Sequence, residues 1–218
     1  MNIELAKENM IKQQIRTLGV PYGDLLDAIR KTPRDIFVPN DMKALAYADI
    51  EIPLNHGEKA FSPHTVTKIL QAVALKKTDS VLEIGCGCGY LTALMAQLSS
   101  MVETCDIHED FVQHTKHRLK SIGVYNVKYH HKDAFDPHAF ENKHYDVIVI
   151  SCKLPKVPQQ YVARLNNGGR LLCLLQRDGF STATLVTKKE NAVKVTGVFD
   201  ICDTIESKDS PDKQKFVF

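Results

Sequence analysis

The sequence predicts an α/β chain: a doubly wound, mainly parallel sheet, with helices ahead of it and antiparallel strands behind it. Three observations carry that expectation. Short apolar runs alternate with helical stretches after about Lys77; Tyr145-Asp146-Val147-Ile148-Val149-Ile150 is apolar almost throughout; and one strand runs straight into three alternating glycines. Strand–helix alternation favours parallel pairing, because a crossover must return the chain to the same end of the sheet. A strand apolar on both faces is one covered on both sides. The 218 residues are expected to form one domain, residues 1–76 a largely helical segment and 77–218 the α/β core.

The elements follow in order. Ile3, Met10, Ile11, Ile15 and Leu18 mark one helical face, closed by Gly19. A second helix runs from about Gly23 through Arg30, with Leu25, Leu26 and Ile29 inward. Thr32–Pro39 and Ile52–Gly57 read as irregular, and a helix starts near Pro63, a residue suited to a first turn. Val81-Leu82-Glu83-Ile84 is the first core strand, followed by a glycine loop and a helix over Tyr90–Leu98. Strands are then expected at Val102–Cys105, Val127–His130, Tyr145–Ile150 and Arg170–Leu175, with helices at Phe111–Ile122 and Gln159–Leu165. Thr184–Lys188, Val193–Ile201 and Phe216–Phe218 read as further, antiparallel strands.

Composition narrows the class. Hydrophobic residues are 44% and charged ones 25%, which suits a globular protein, and a net charge of +2 offers no strong field for nucleic acid or an anionic membrane. No apolar stretch reaches the ~18 residues of a membrane span, and the acid-bearing N-terminus has neither signal- nor transit-peptide character. A cytoplasmic protein is expected. The six cysteines, at 86, 88, 105, 152, 173 and 202, form no CxxC pair and are read as reduced, so no zinc site is expected. His114 and His117 read as a solvated helix face, and His130 and His131 as pointing to opposite sides of a strand.

The chemistry is carried by Val81-Leu82-Glu83-Ile84-Gly85-Cys86-Gly87-Cys88-Gly89-Tyr90. Glycines there let the chain bend sharply and let a ligand approach without meeting a Cβ, and ligands of open parallel sheets bind at the carboxyl ends of strands. The dinucleotide pattern G-x-G-x-x-G fails because 90 and 92 are Tyr90 and Thr92, and no Gly-Lys-Ser/Thr follows for a phosphate loop. The spacing G-x-G-x-G, with Glu83 two residues ahead, resembles motif I of class I S-adenosylmethionine-dependent methyltransferases, whose Rossmann-like fold is the one expected here. The next strand ends at Asp106, 21 residues after Gly85, where a carboxylate can accept from both hydroxyls of a ribose. Asp133 follows the third strand, where such enzymes meet the adenine amino edge.

Flanking segments resemble the protein-L-isoaspartate O-methyltransferases. Thr32-Pro33-Arg34-Asp35-Ile36-Phe37-Val38-Pro39 is similar to that family's P-R-x-x-F-V-P, and Ala46-Tyr47-Ala48-Asp49-Ile50-Glu51-Ile52-Pro53-Leu54-Asn55-His56-Gly57 to its A-Y-x-D-x-x-x-P-I-x-x-G. Tyr145–Val149 and Leu165–Leu171 fall in the family order, so the resemblance spans roughly residues 5–176. It implies S-adenosylmethionine as donor, held by Glu83, Gly85, Cys86, Gly87, Gly89, Asp106, Ile107, Asp133 and Ala134. It also implies a damaged protein or peptide, bearing a carboxylate, as the partner that residues 1–76 help to hold. No nucleic acid and no membrane is expected as a partner.

One departure stands out. The family usually reads Q-T-I-S-x-P after that glycine, its serine in the acceptor pocket; here Glu58-Lys59-Ala60-Phe61-Ser62-Pro63 puts Phe61 at the serine's place and Ser62 one position on. Phe61, Ser62, His64 and Lys153 are therefore the substrate-side candidates, and Ser62 the catalytic one. His64 either touches substrate or is local structure; Lys153 either attracts an anion or sits on a loop. The altered segment leaves two alternatives open, a different or small acceptor, and a cofactor-binding protein with weakened catalysis.

Overall fold

In the computed structural model, residues 2–21, 23–177, 179–190 and 192–201 are described; Cys202 and the strand expected at Phe216–Phe218 lie outside them. Helix α1 (Ile3–Asn9) opens on Asn2, whose side chain accepts the Leu5 N–H at 3.1 Å. It continues through a π turn (Met10–Ile15) and a 3-10 turn (Arg16–Leu18), which bring Met10, Ile11 and Ile15 to the buried side. Gly19 ends it at φ +74°, the left-handed stop that a glycine takes without strain. Helix α2 (Asp24–Lys31) buries Leu26 and Ile29. The short strands β1 (Ile52–Pro53) and β2 (Lys59–Ala60) pair antiparallel around a 3-10 turn at Asn55–Gly57. Helix α3 (Pro63–Val73) has proline in its first turn, as expected.

The main sheet has seven strands: β3 (Ser80–Ile84), β4 (Met101–Asp106), β5 (Val127–His131), β6 (Tyr145–Leu154), β7 (Leu165–Arg177), β8 (Phe180–Lys189) and β9 (Ala192–Ile201). Their spatial order is β5-β4-β3-β6-β7-β8-β9. The first five are mutually parallel and the last two antiparallel. Helices α4 (Tyr90–Leu98), α5 (Glu109–Ser121) and α6 (Gln159–Ala163) make the crossovers, so the doubly wound expectation holds. The period-2 alternation of the central strands divides the core. Val81, Val147, Val149, Leu172 and Leu174 face the N-terminal helices, whereas Leu82, Ile84, Ile148, Ile150, Leu171 and Cys173 face Tyr161 and Phe140.

Several boundaries differ from the sequence expectation, β8 for one beginning at Phe180 and not at Thr184, and those of β6 and β7 lie where a neighbour decides them. Strand β6 runs four residues past Ile150, because β7 extends beside it and pairs Lys153 with Leu174; Lys153 is thus on a strand and not on a loop. Strand β7 begins at Leu165, so the glycine pair Gly168-Gly169 is inside it. Among the described residues no helix is long and apolar enough to cross a membrane, and no group of three or more His, Cys, Asp or Glu is arranged to hold a metal ion.

Several family-like segments turn out to be joints. Arg34 is 1% exposed; its guanidinium donates to the carbonyls of Ala46 and Phe61, the latter at 2.6 Å, and its charge lies 5.6 Å from the centre of the Tyr90 ring. Asp146 accepts from the Ser80 N–H (2.9 Å), the Ser80 hydroxyl (2.8 Å) and Asn166 (2.8 Å), tying β3, β6 and β7 at their starts. Arg170 pairs with Asp79 at 2.6 Å and donates to the terminal carbonyls of α3.

Candidate active site

Strand order reverses between β3 and β6: the chain runs outward through β4 and β5, then returns to lay β6 on the other flank of β3. A crevice opens beyond the carboxyl ends of strands at such a reversal. The bend Gly85-Cys86-Gly87-Cys88-Gly89 sits there, all three glycines at positive φ (+87°, +49° and +87°). Gly85 and Gly87 each face a cavity wall; a Cβ on Gly85 would stand 3.5 Å from the Ser151 Cβ, and one on Gly87 3.6 Å from Leu54. Gly89 answers to a different need, since its Cβ would stand 2.7 Å from the Thr115 hydroxyl of α5, and it lines neither cavity. It lets α4 start against α5.

Asp106 ends β4 with its carboxylate aimed back across the bend. One oxygen accepts the Gly87 N–H at 3.0 Å and the other the His108 N–H at 3.0 Å. Each oxygen keeps a second lone pair, so the group is oriented by backbone and still able to accept from two hydroxyls. Glu83 is fully buried below the bend, with one oxygen accepting the hydroxyls of Thr92 and Thr104, both at 2.6 Å. Its other oxygen is buried without a hydrogen bond. Burial pushes this carboxyl up to about 7, against the downward pull of Thr104 and Thr92 and with a further lift from Asp106. Burial, with Asp106 and Glu83 nearby, also drives the Cys86 and Cys105 thiols well up, so they stay protonated and serve as small apolar walls. The five described cysteines are all free and buried.

Two cavities meet at the bend. The larger, about 550 Å³ of empty volume, is lined by Gly85, Gly87, Asp106, Ile107, Asp133 and Ala134 together with Ile84, His108, Phe111 and Phe135. Asp133 is exposed, and its carboxylate accepts the Phe135 N–H at 2.7 Å; the Ala134 carbonyl accepts from the Tyr161 hydroxyl. The smaller, about 350 Å³, is lined by Lys59, Ala60, Phe61, Glu83, Cys86 and Tyr90, among others. Gly85, Gly87 and Ser151 belong to both. The N-terminal segment closes the mouth. His56 stacks on His108 with ring centres 4.0 Å apart and planes within 1°, and both rings meet the edge of Phe111. Asp110 accepts from His56 (2.9 Å) and Asn55 (3.3 Å).

The substrate-side candidates divide. Phe61 lies in the wall of the smaller cavity. Ser62 caps α3, its hydroxyl accepting the Thr65 N–H at 3.3 Å, and it lines neither cavity. His64 and Lys153 line neither cavity; the His64 N–H donates to Asp49 at 3.1 Å. Sequence reading missed the His56–His108 stack, and noted Arg34 and the Ser151–Pro155 stretch without giving Arg34 or Ser151 a place in the site. A basic residue inside an apolar block was a legible sign for Arg34, and a serine ending an apolar strand for Ser151.

A family model described as protein-L-isoaspartate(D-aspartate) O-methyltransferase (PCMT) matches residues 5–202. A protein-L-isoaspartate O-methyltransferase of Petrotoga mobilis is 31% identical over 191 residues, covering 88% of this chain and 90% of that one. One from Methanoculleus marisnigri is 30% identical over 196 residues, covering 90% and 89%. Among solved structures, a Plasmodium falciparum chain described as a protein-L-isoaspartate O-methyltransferase, crystallised in complex with S-adenosyl-L-homocysteine, superposes with a TM-score of 0.79 over 94% of this chain and 98% of that one, at 20% identity. The fold is shared.

Proposed function

The chain belongs to the protein-L-isoaspartate(D-aspartate) O-methyltransferase family, and on that premise we propose that it transfers the methyl group of S-adenosylmethionine to the free carboxylate of an isoaspartyl residue in a damaged protein. The single observation that carries the reading is the crevice at the β3/β6 reversal, with an oriented acceptor, Asp106, at one side of a glycine bend and a second chamber at the other. Asp106 accepts the ribose hydroxyls there, Ile107, Ala134 and Phe135 flank the base, and Asp133 meets the adenine amino edge. The bare oxygen of Glu83 below the bend suits the ammonium end of the donor's amino-acid arm, with the Gly85, Cys86 and Gly87 backbone alongside.

When bound, the donor supplies an electrophilic sulfonium methyl. The acceptor oxygen forms the new O–C bond while the C–S bond breaks, its electron pair remaining on sulfur. A carboxylate with a reference pKa near ~4 is already ionised at neutral pH, so no proton has to move and no general base is required. What the chain must contribute is alignment: reacting atoms at ~3 Å in a site cleared of water, worth roughly 7–11 kcal/mol in well-oriented systems. Phe61 and Tyr90 form an apolar wall for that purpose, and Lys59, paired with Glu51 at 3.6 Å, sets a cation at the rim.

Phe61 favours one second reading, a carboxylate acceptor of another shape, because it places a ring where the family's serine stands. Methyl-ester formation on an isoaspartyl peptide, followed by methanol release, decides between them. Turnover is expected; tight S-adenosylhomocysteine binding without turnover overturns the isoaspartyl assignment and favours the second.

A further inference from the structure

We propose that the Ser151 hydroxyl holds the methyl-accepting carboxylate, donating a hydrogen bond to the oxygen that does not attack; this rests on the acceptor being a carboxylate, as argued above. The placement of Ser151 is set by the sheet. Ile150 is the last residue of β6 paired with β3, opposite Ile84, so Ser151 stands beside Gly85 at the reversal of strand order. Just there β6 slips against β7. Ile150 faces Cys173, yet the next pair is Lys153 with Leu174, which leaves Ser151 and Cys152 without partners across the ladder. Bulges of this kind re-aim a side chain and are common beside active sites.

The result is a buried serine at the meeting point of two chambers. Ser151 is 4% exposed, belongs to the walls of both cavities, and its Oγ is buried with no hydrogen-bond partner. A buried hydroxyl left unbonded costs about 1–3 kcal/mol, so a ligand oxygen that uses it recovers that penalty on binding. The missing Cβ of Gly85 keeps the space in front of it open. Two other hydroxyls are close by: that of Ser62 caps α3, and that of Tyr90 belongs to a ring in the wall of the smaller cavity. The acceptor enters the smaller chamber past Phe61 and meets the donor at the bend, which is where Ser151 faces. A hydrogen bond to the non-attacking oxygen fixes the carboxylate plane and leaves the attacking oxygen fully charged. No proton is transferred, and Ser151 is unchanged after turnover.

The test compares Ser151→Ala and the near-isosteric Ser151→Cys, a weak donor, with the wild-type chain. Four quantities are read: S-adenosylhomocysteine affinity by calorimetry, thermal midpoint, and kcat and KM on an isoaspartyl peptide. Both variants are expected to keep the wild-type affinity and a midpoint at or above the wild-type one, while kcat/KM falls at least tenfold, the loss appearing mainly in KM. Unchanged kcat/KM in a wild-type enzyme that turns over sinks the inference and leaves the function intact. So does weakened S-adenosylhomocysteine binding with an unaltered peptide KM, which would give Ser151 to the donor. Absence of turnover in the wild type overturns the functional reading, and this inference with it.

Discussion

Asp106 and Glu83 are two carboxylates of one strand-end region, and their surroundings divide their duties. Asp106 is wrapped by two backbone N–H groups, which hold its carboxylate in place. Asp106→Ala should weaken S-adenosylhomocysteine binding tenfold or more, about 1.4 kcal/mol for lost charged hydrogen bonds; equal affinities in calorimetry would remove it from the ribose site. Glu83, in contrast, is held near 7 by burial. A folded pKa raised above the unfolded value means the native state binds the extra proton, so stability is greatest below about 4.5 and falls as pH rises toward about 7, then levels. The full shift corresponds to roughly 3 kcal/mol. Glu83→Gln in the ligand-free protein should therefore stabilise by about 2–3 kcal/mol at pH 8 and by little at pH 5; denaturant titrations giving the same effect at both pH values would contradict this. Both residues were legible from position alone. The roles of Ser62 and Ser151 were not, because which of two serines caps a helix and which faces a crevice depends on partners far along the chain.

The glycine bend shows that one motif can serve two needs. Gly168 and Gly89 both have positive φ, but a Cβ at Gly168 meets nothing within 4 Å, whereas one at Gly89 runs into the Thr115 side chain of α5 at 2.7 Å. Gly168→Ala should cost the backbone strain alone, about 1–2 kcal/mol. Gly89→Ala should cost at least about 1–3 kcal/mol more, the penalty of overpacking. Thermal unfolding of the pair checks this, and equal losses would mean that α4 and α5 part easily. Glycine spacing announced a ligand loop from the sequence, yet it could not say that the third glycine serves helix packing. Strand ends were misjudged for a related reason: β6 and β7 each extend as far as the other pairs with it, and pairing is invisible in a single segment's composition.

Across the whole molecule, the N-terminal segment completes a crevice that the sheet only half encloses. Leu54, His56 and Phe61 reach it from one side, and Arg34 holds that side together by donating to the carbonyls of Ala46 and Phe61. Arg34→Met should leave those carbonyls unbonded and destabilise the protein by roughly 3 kcal/mol. Amide exchange should quicken across residues 44–61 while β3, β4 and β6 stay protected; uniform quickening would show that the segment opens only with the global fold. The alternating apolar runs and the glycine bend determined the parallel sheet, its flanking helices and the bend at the strand ends, because both follow from local periodicity and from backbone freedom at single residues. The tertiary structure alone decided the other wall of the crevice: which serine lines it, which arginine clamps it, and where β6 bulges. Those depend on contacts between residues tens of positions apart, and no local pattern encodes them.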